Sequence, residues 1–177
     1  MIVAITIIIW LYILTTFGPM QIEIDLTQQR LTLWNGARRL REHAVSTGGN
    51  GPGEIYGSGC TPRGRHKVRA KIGAGAPANA VFVARRWTGE VWTPQLHVEM
   101  PGRDWMLTRI LWLSGLERGR NRLGCVDTFR RFIYLHGTPD ITRLGTPGSK
   151  GCVRMANADI TELFDLITVG TEVEIHE

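Results

Sequence analysis

Cys152 and His136 are the two side chains in this sequence whose type and surroundings suit covalent acyl transfer. Cys152 sits in the run Gly145-Thr146-Pro147-Gly148-Ser149-Lys150-Gly151-Cys152-Val153-Arg154. Glycines there let the backbone approach a substrate, and successive N–H groups can face a developing oxyanion. Lys150 and Arg154 add positive potential that favours thiolate over thiol, but a free thiol of pKa about 8.5 still needs a base. His136 lies sixteen positions upstream, after the apolar run Phe132 to Leu135 and before Gly137-Thr138. A strand end followed by a loop is a common way to present a catalytic imidazole. Each residue also has a structural reading. A cysteine after glycine packs as a small apolar residue, and a histidine at a strand end caps or packs. Residue type and spacing alone leave both readings open.

The remaining metal-ligand types give less. The 3 cysteines (Cys60, Cys125, Cys152) and 5 histidines (His43, His66, His97, His136, His176) form neither Cys-x-x-Cys nor His-x-x-x-His, so a structural zinc site has little support. An odd cysteine count leaves at least one thiol free in any intramolecular pairing.

The elements that must position these residues read as mainly β. From Gln21 the hydrophobic period is two: Ile22, Ile24 and Leu26 alternate with Glu23, Asp25 and Thr27, and Leu31 and Leu33 continue after a polar turn. Further strands are expected over His66 to Ile72, Val81 to Arg86, Glu90 to Trp92, Phe132 to Leu135 and Glu172 to His176. The 21 glycines and 8 prolines fall between these short runs, which suits a β domain better than βαβ units. One helix is well signalled, with Asn157 as N-cap, Ile160, Leu163, Phe164 and Ile167 on one face, and Gly170 beyond its close. Arg103 to Arg131 mixes both periods and reads as a long loop with a short helix.

With 177 residues, 43% hydrophobic and 21% charged, the chain fits one globular domain, and disorder or a disulfide miniprotein is excluded. The net charge of +5 suits an acidic partner without choosing one. Residues Met1 to Ile22 carry no charged side chain. As a helix the first seventeen would rise about 26 Å, short of a hydrocarbon core of about 30 Å. A transmembrane anchor over residues 1–19, a buried element and a natural start at Met20 all remain open. A cleaved signal peptide fits less well, because no Lys or Arg precedes the apolar core.

Tyr134-Leu135-His136-Gly137-Thr138 followed by Ser149-Lys150-Gly151-Cys152-Val153-Arg154-Met155 resembles the signature of the YkuD-type L,D-transpeptidase catalytic domain. That pattern is His-Gly, a spacer, then Ser/Thr-His-Gly-Cys, an apolar residue and Arg or Asn. The likeness extends through Ile24-Asp25-Leu26, Val45-Ser46-Thr47-Gly48, Thr61-Pro62-Arg63-Gly64, the helix from Asn157 and the closing strand, so it covers residues 21–177 as one domain.

The resemblance implies a β-sandwich-like fold and peptidoglycan remodelling without metal or organic cofactor. It implies Cys152 as nucleophile on the bond between the third residue of a tetrapeptide stem and D-Ala. His136 is the implied general base and acid, and the Gly137 carbonyl orients its imidazole. Gly151 and Cys152 N–H groups are the implied oxyanion donors, and Arg154, Ser149 and Lys150 the implied substrate-binding residues. The thioester would pass to the amine of another stem as a 3→3 cross-link. Hydrolysis by water (an L,D-carboxypeptidase or endopeptidase) and an inactive wall-binding protein are the alternatives. The expected partner is the stem peptide rather than nucleic acid, and the expected location is the cell envelope, with membrane contact through residues 1–19.

Two departures stand out. Lys150 occupies the position where the pattern has His, which keeps charge near Cys152 but removes a proton shuttle and is read as tuning. The spacer between His136 and Ser149 holds twelve residues, slightly below the usual range, which would move the loop and alter substrate choice. Outside the motif, Cys60 and Cys125 could pair in an oxidising compartment. Arg63, Arg65, Lys67, Arg69 and Lys71 alternate along one strand as a solvated face, and Trp105 to Trp112 reads as lid or core.

Overall fold

The computed structural model describes residues 18–177, so the apolar segment expected as an anchor lies almost entirely outside the described residues. Among the described residues no helix is long and apolar enough to cross a membrane. The ten strands of the described residues belong to one mixed sheet. The alternating start folds as foreseen: β1 (Met20–Asp25) and β2 (Arg30–Asn35) form an antiparallel hairpin, with Ile22, Ile24, Leu31 and Leu33 fully buried. The last strand, β10 (Glu172–His176), pairs parallel to β1 and antiparallel to β4 (Gly64–Ile72), so the two ends of the domain close on each other.

β3 (Arg38–Ala44) was not legible in the sequence. Its residues are mostly charged because it is the outer edge of the sheet, where charge discourages pairing with another chain. β5 (Ala80–Val83) and β6 (Arg86–Val91) divide the expected Val81–Arg86 strand, since Ala84 and Arg85 turn through positive φ to make a hairpin. The segment read as a loop over Arg103–Arg131 instead contains the ten-residue strand β7 (Met106–Gly115), which pairs with β4, β5 and β8 (Tyr134–Gly137). Its period was unreadable for two reasons. A bulge at Thr108–Arg109 shifts its phase, and both of its faces are buried. The one α-helix near this stretch, α1 (Pro94–Glu99), precedes it. A short 3-10 turn covers Gly124–Val126.

The principal core lies between the β1, β2, β4 and β10 portion and a second layer of β7, β8, β9 (Val153–Met155) and α2 (Asn157–Leu166), a sandwich-like arrangement. Each fully buried Leu or Ile there contributes about 1.5–3 kcal/mol. α2 begins one residue earlier than its cap was expected. Ala156 is the N-cap, and Asn157 turns its side chain elsewhere: its Nδ2 donates to the Thr138 carbonyl at 2.9 Å and its Oδ1 accepts from Thr108. The helix ends at Leu166 with Ile167 as its C-cap, before Gly170 as expected, and Lys71 Nζ donates to the Phe164 and Ile167 carbonyls. Lys71 therefore leaves the solvated face on which Arg65 and Arg69 remain exposed, because a bulge lies between Val68 and Ala70.

Candidate active site

Strand alternation creates the site. In β7, β8 and β9 the odd-numbered residues Leu111, Leu113, Leu135, Val153 and Met155 face the principal core. The even-numbered residues therefore face the other way. Ile110 and Trp112 on β7 stand opposite His136 and Tyr134 on β8, and His136 is in register with Arg154 on β9. Cys152 immediately precedes β9 and packs with Tyr134, Ile110 and Phe82 in a second apolar cluster. The period that hides Leu135 and Val153 thus turns His136 and Arg154 to the other face, and Cys152 enters β9 at the edge of that face, against Tyr134.

His136 is 2% exposed, and its Nδ1 lies 2.8 Å from the Gly137 carbonyl. A carbonyl only accepts, so Nδ1 carries the proton and Nε2 holds the free lone pair. Gly137 has to be glycine: a Cβ there would stand 2.3 Å from Asn157 Oδ1 and 2.8 Å from the Leu107 carbonyl. Gly137→Ala is therefore expected to displace the peptide that orients His136. Activity should fall by more than tenfold and the melting temperature should drop, as for an overpacked core costing about 1–3 kcal/mol. Adding Asn157→Ala relieves the nearer contact but not the backbone one, so recovery should be partial. Thermal melts and turnover assays on the single and double variants check this.

The Cys152 thiol donates to the Phe132 carbonyl at 3.4 Å. Gly151, at φ +115°, turns the chain into Cys152 where a side chain would meet the Cys60 carbonyl at 2.8 Å. The turn is held from three sides. Thr61 Oγ1 donates to the Gly151 carbonyl at 2.9 Å, Ser149 Oγ donates to the Cys152 carbonyl, and the Gly151 N–H donates to Ser149 Oγ at 3.1 Å.

That last bond corrects the sequence reading twice. The Gly151 N–H is committed to the turn, and Ser149 is a buried staple rather than a residue facing substrate. The Cys152 N–H has no partner among the described residues. Arg154 donates to the Gly148 carbonyl at 3.1 Å and to Asp104 Oδ1 at 2.9 Å, so it braces the loop from below. Lys150 is exposed and lines a cleft of about 430 Å³ together with Asn50, Ser58 and Arg131.

Burial sets the protonation of the pair. It pushes the Cys152 thiol up to about 11, against the opposing pull of the Tyr134 N–H and of Arg154 and Arg131. Burial likewise holds the His136 imidazole down to about 4, against its bond to Gly137. Both groups are neutral at pH 7, so the resting site holds a thiol and an imidazole rather than an ion pair. Thiolate is then scarce at neutral pH and increases tenfold per pH unit below the thiol pKa. Cys152 alkylation by iodoacetamide should accordingly be slow at pH 7 and climb through pH 10, with the exposed Cys125 modified first. Peptide mapping across pH checks this. Full reactivity at pH 7 that falls only on acidification would instead indicate a preformed thiolate–imidazolium pair.

Asp104, Arg131, Thr61 and Asn157 escaped sequence reasoning because they act through backbone carbonyls or through each other. Arg131 donates to the Gly53 carbonyl at 3.0 Å and the Cys60 carbonyl at 2.6 Å, which ties down the loop that packs against Gly151. All three cysteines are free thiols, so the possible Cys60–Cys125 pair does not form. Trp105 is core, 4% exposed. Among the described residues no three His, Cys, Asp or Glu side chains lie together as a metal site.

Residues 19–175 match the family described as the YkuD L,D-transpeptidase catalytic domain. The probable L,D-transpeptidase YbiS of Escherichia coli K12 is 32% identical over 108 residues, 59% of this chain and 34% of that protein. The putative L,D-transpeptidase YkuD of Bacillus subtilis is 43% identical over 42 residues, 24% of this chain and 26% of its own. The match thus spans about a third or less of these curated relatives. Among solved structures, the L,D-transpeptidase of Xylanimonas cellulosilytica superposes with a TM-score of 0.52 at 23% identity, over 90% of this chain and 61% of that one. An L,D-transpeptidase from Mycobacterium smegmatis gives 0.54 at 16% identity, over 90% and 59%. At these identities the likeness to solved structures is one of fold.

Proposed function

Since the chain belongs to the YkuD family of L,D-transpeptidase catalytic domains, we propose that it cross-links peptidoglycan stems through a thioester on Cys152. The observation that carries the proposal is the tautomer of His136. With Nδ1–H fixed on the Gly137 carbonyl, Nε2 is the nitrogen left to take the thiol proton, on β8, which pairs with the strand that Cys152 leads into.

In the proposed reaction Cys152 passes its proton to His136 Nε2 as sulfur attacks the carbonyl joining the third stem residue to D-Ala. The Cys152 N–H stabilises the oxyanion. Protonated Nε2 then returns the proton to the departing D-Ala amine, leaving a thioester. The side-chain amine of a second stem attacks that thioester and loses its proton to Nε2. Collapse forms the new amide and releases the thiol. Asp104 and the Gly148 carbonyl keep Arg154 beneath the loop, while Lys150 and Arg131 supply the positive rim that receives the stem carboxylates.

Incubation of the protein with disaccharide-tetrapeptides should give 3→3 dimers and free D-Ala by mass spectrometry. Tripeptide monomers alone would assign hydrolysis instead. The same proposal places the domain on the envelope side of the cytoplasmic membrane, held there through residues 1–19. Recovery of the native protein from washed membranes, with its first seventeen residues intact, is the expected result, and a native N-terminus at Met20 would remove the anchor.

A further inference from the structure

Beside the catalytic pair lies a second cleft of about 420 Å³, lined by Tyr56, Trp112, Gly124, Phe129, Arg130 and Phe132. We propose that it is a carbohydrate subsite, seating the uncharged amino sugar that carries the donor stem. This deepens the function proposed above and rests on it for the identity of the donor.

The cleft and the cationic one share a wall. Tyr56 and Phe132 line both. Tyr56 and Phe132 are 61% and 46% exposed, and the Phe132 ring is met by Trp112 at 6.0 Å and by the Arg85 guanidinium at 5.1 Å while its remaining surface stays open. Phe132 adopts φ +57°, a left-handed backbone that is an outlier for a bulky residue. That conformation has two visible results. It turns the Phe132 carbonyl to the Cys152 thiol, and it leaves the ring in the cleft. Nucleophile and aromatic surface are therefore set by one residue. Phe129 completes the floor by stacking on Trp112 at 3.8 Å, and the Tyr56 N–H donates to the Cys125 carbonyl at 2.7 Å, which fixes the Tyr56 loop against the wall at Gly124.

The chemistry divides a glycopeptide donor between the two clefts. A peptidoglycan stem carries free carboxylates, and the cleft with Lys150 and Arg131 is lined by no acidic side chain. Its sugar is neutral, with apolar C–H faces and hydroxyls at its edge. Exposed ring surface from Tyr56 and Phe132, with the Arg130 guanidinium in the lining and that of Arg85 over Trp112 and Phe132, fits that surface. The spacing also agrees. Trp112 lies two strands from Cys152, about 10 Å at about 4.8 Å per strand. The lactyl link and three extended stem residues, the length from the sugar to the attacked carbonyl, can reach about 14 Å, enough to bridge that separation.

The test uses the full chain and a peptide-free probe, the disaccharide N-acetylglucosaminyl-N-acetylmuramic acid with its lactyl carboxyl amidated, so that charge plays no part. Titration followed by NMR of the aromatic resonances should show saturable binding. Tyr56→Ala should weaken it at least tenfold, and so should Phe132→Gly, which removes the ring at a φ that glycine adopts freely. In turnover, the KM preference of the wild type for disaccharide-tetrapeptide over free tetrapeptide should shrink in both variants. No saturable binding, or binding unaffected by both substitutions, overturns the subsite. The titration requires no acylation, so it can fail while Cys152 still forms its thioester, and succeed where the thioester does not form.

Discussion

Cys152→Ala is expected to abolish both D-Ala release and dimer formation, with a loss of at least ~10³-fold, as removal of a covalent nucleophile does. The protein should still fold. Deletion of its sulfur removes the weak bonds to the Phe132 carbonyl and from the Tyr134 N–H and a small part of a cluster otherwise built around Ala80, Phe82, Ile110 and Tyr134. The turn that carries it is held by Ser149 and Thr61 through backbone atoms, which alanine leaves in place. A melting temperature near that of the wild type, with no product by chromatography, is the outcome to look for. A variant that folds and still turns over would place the chemistry elsewhere.

His136→Asn carries the second large effect. Asparagine reproduces the donor on Cγ, so its amide can still reach the Gly137 carbonyl, while the basic nitrogen is lost. The rate of Cys152 acylation should therefore fall by about 10²–10⁴-fold, the usual contribution of a general base, without collapse of the site. The wild-type acid limb provides a companion measurement. With the imidazole held down to about 4, the base is neutral above that pH and is lost as pH falls through it. Acylation in the wild type should thus persist to about pH 5 and decline below, whereas the asparagine variant should show no such limb. An unchanged limb in the variant would assign the titration to another group.

In the sequence, the glycines beside His136 and Cys152 marked close backbone approach. The strand expected over Phe132 to Leu135 lies instead at Tyr134–Gly137, so His136 stands within it rather than after its end, and β9 at Val153–Met155 was not foreseen. The closing strand Glu172–His176 and the first hairpin were plainer, because each has one buried face. β7 was hidden by the bulge at Thr108–Arg109 and by having apolar residues on both faces, and β3 by the charge its edge position requires.

Asn157 shows a different kind of failure. An asparagine at a helix start is most simply a cap, yet here its side chain spans Thr108 and Thr138 and occupies the space that a side chain at 137 would need. Nothing in local sequence signals a contact between residues forty-nine positions apart. The Gly151 N–H failed similarly: its role as an oxyanion donor was plausible from spacing, and only the three-dimensional turn reveals that Ser149 Oγ already accepts from it.

The central claim is a covalent intermediate on one named sulfur. Intact-mass spectrometry of the protein quenched in acid during turnover of disaccharide-tetrapeptide reports it directly. The account predicts a mass increase equal to the donor less D-Ala, mapped by peptide sequencing to Cys152 and absent from Cys152→Ala. An adduct on Cys60 or Cys125, or steady product formation with the protein at its unmodified mass and insensitive to Cys152→Ala, would contradict it.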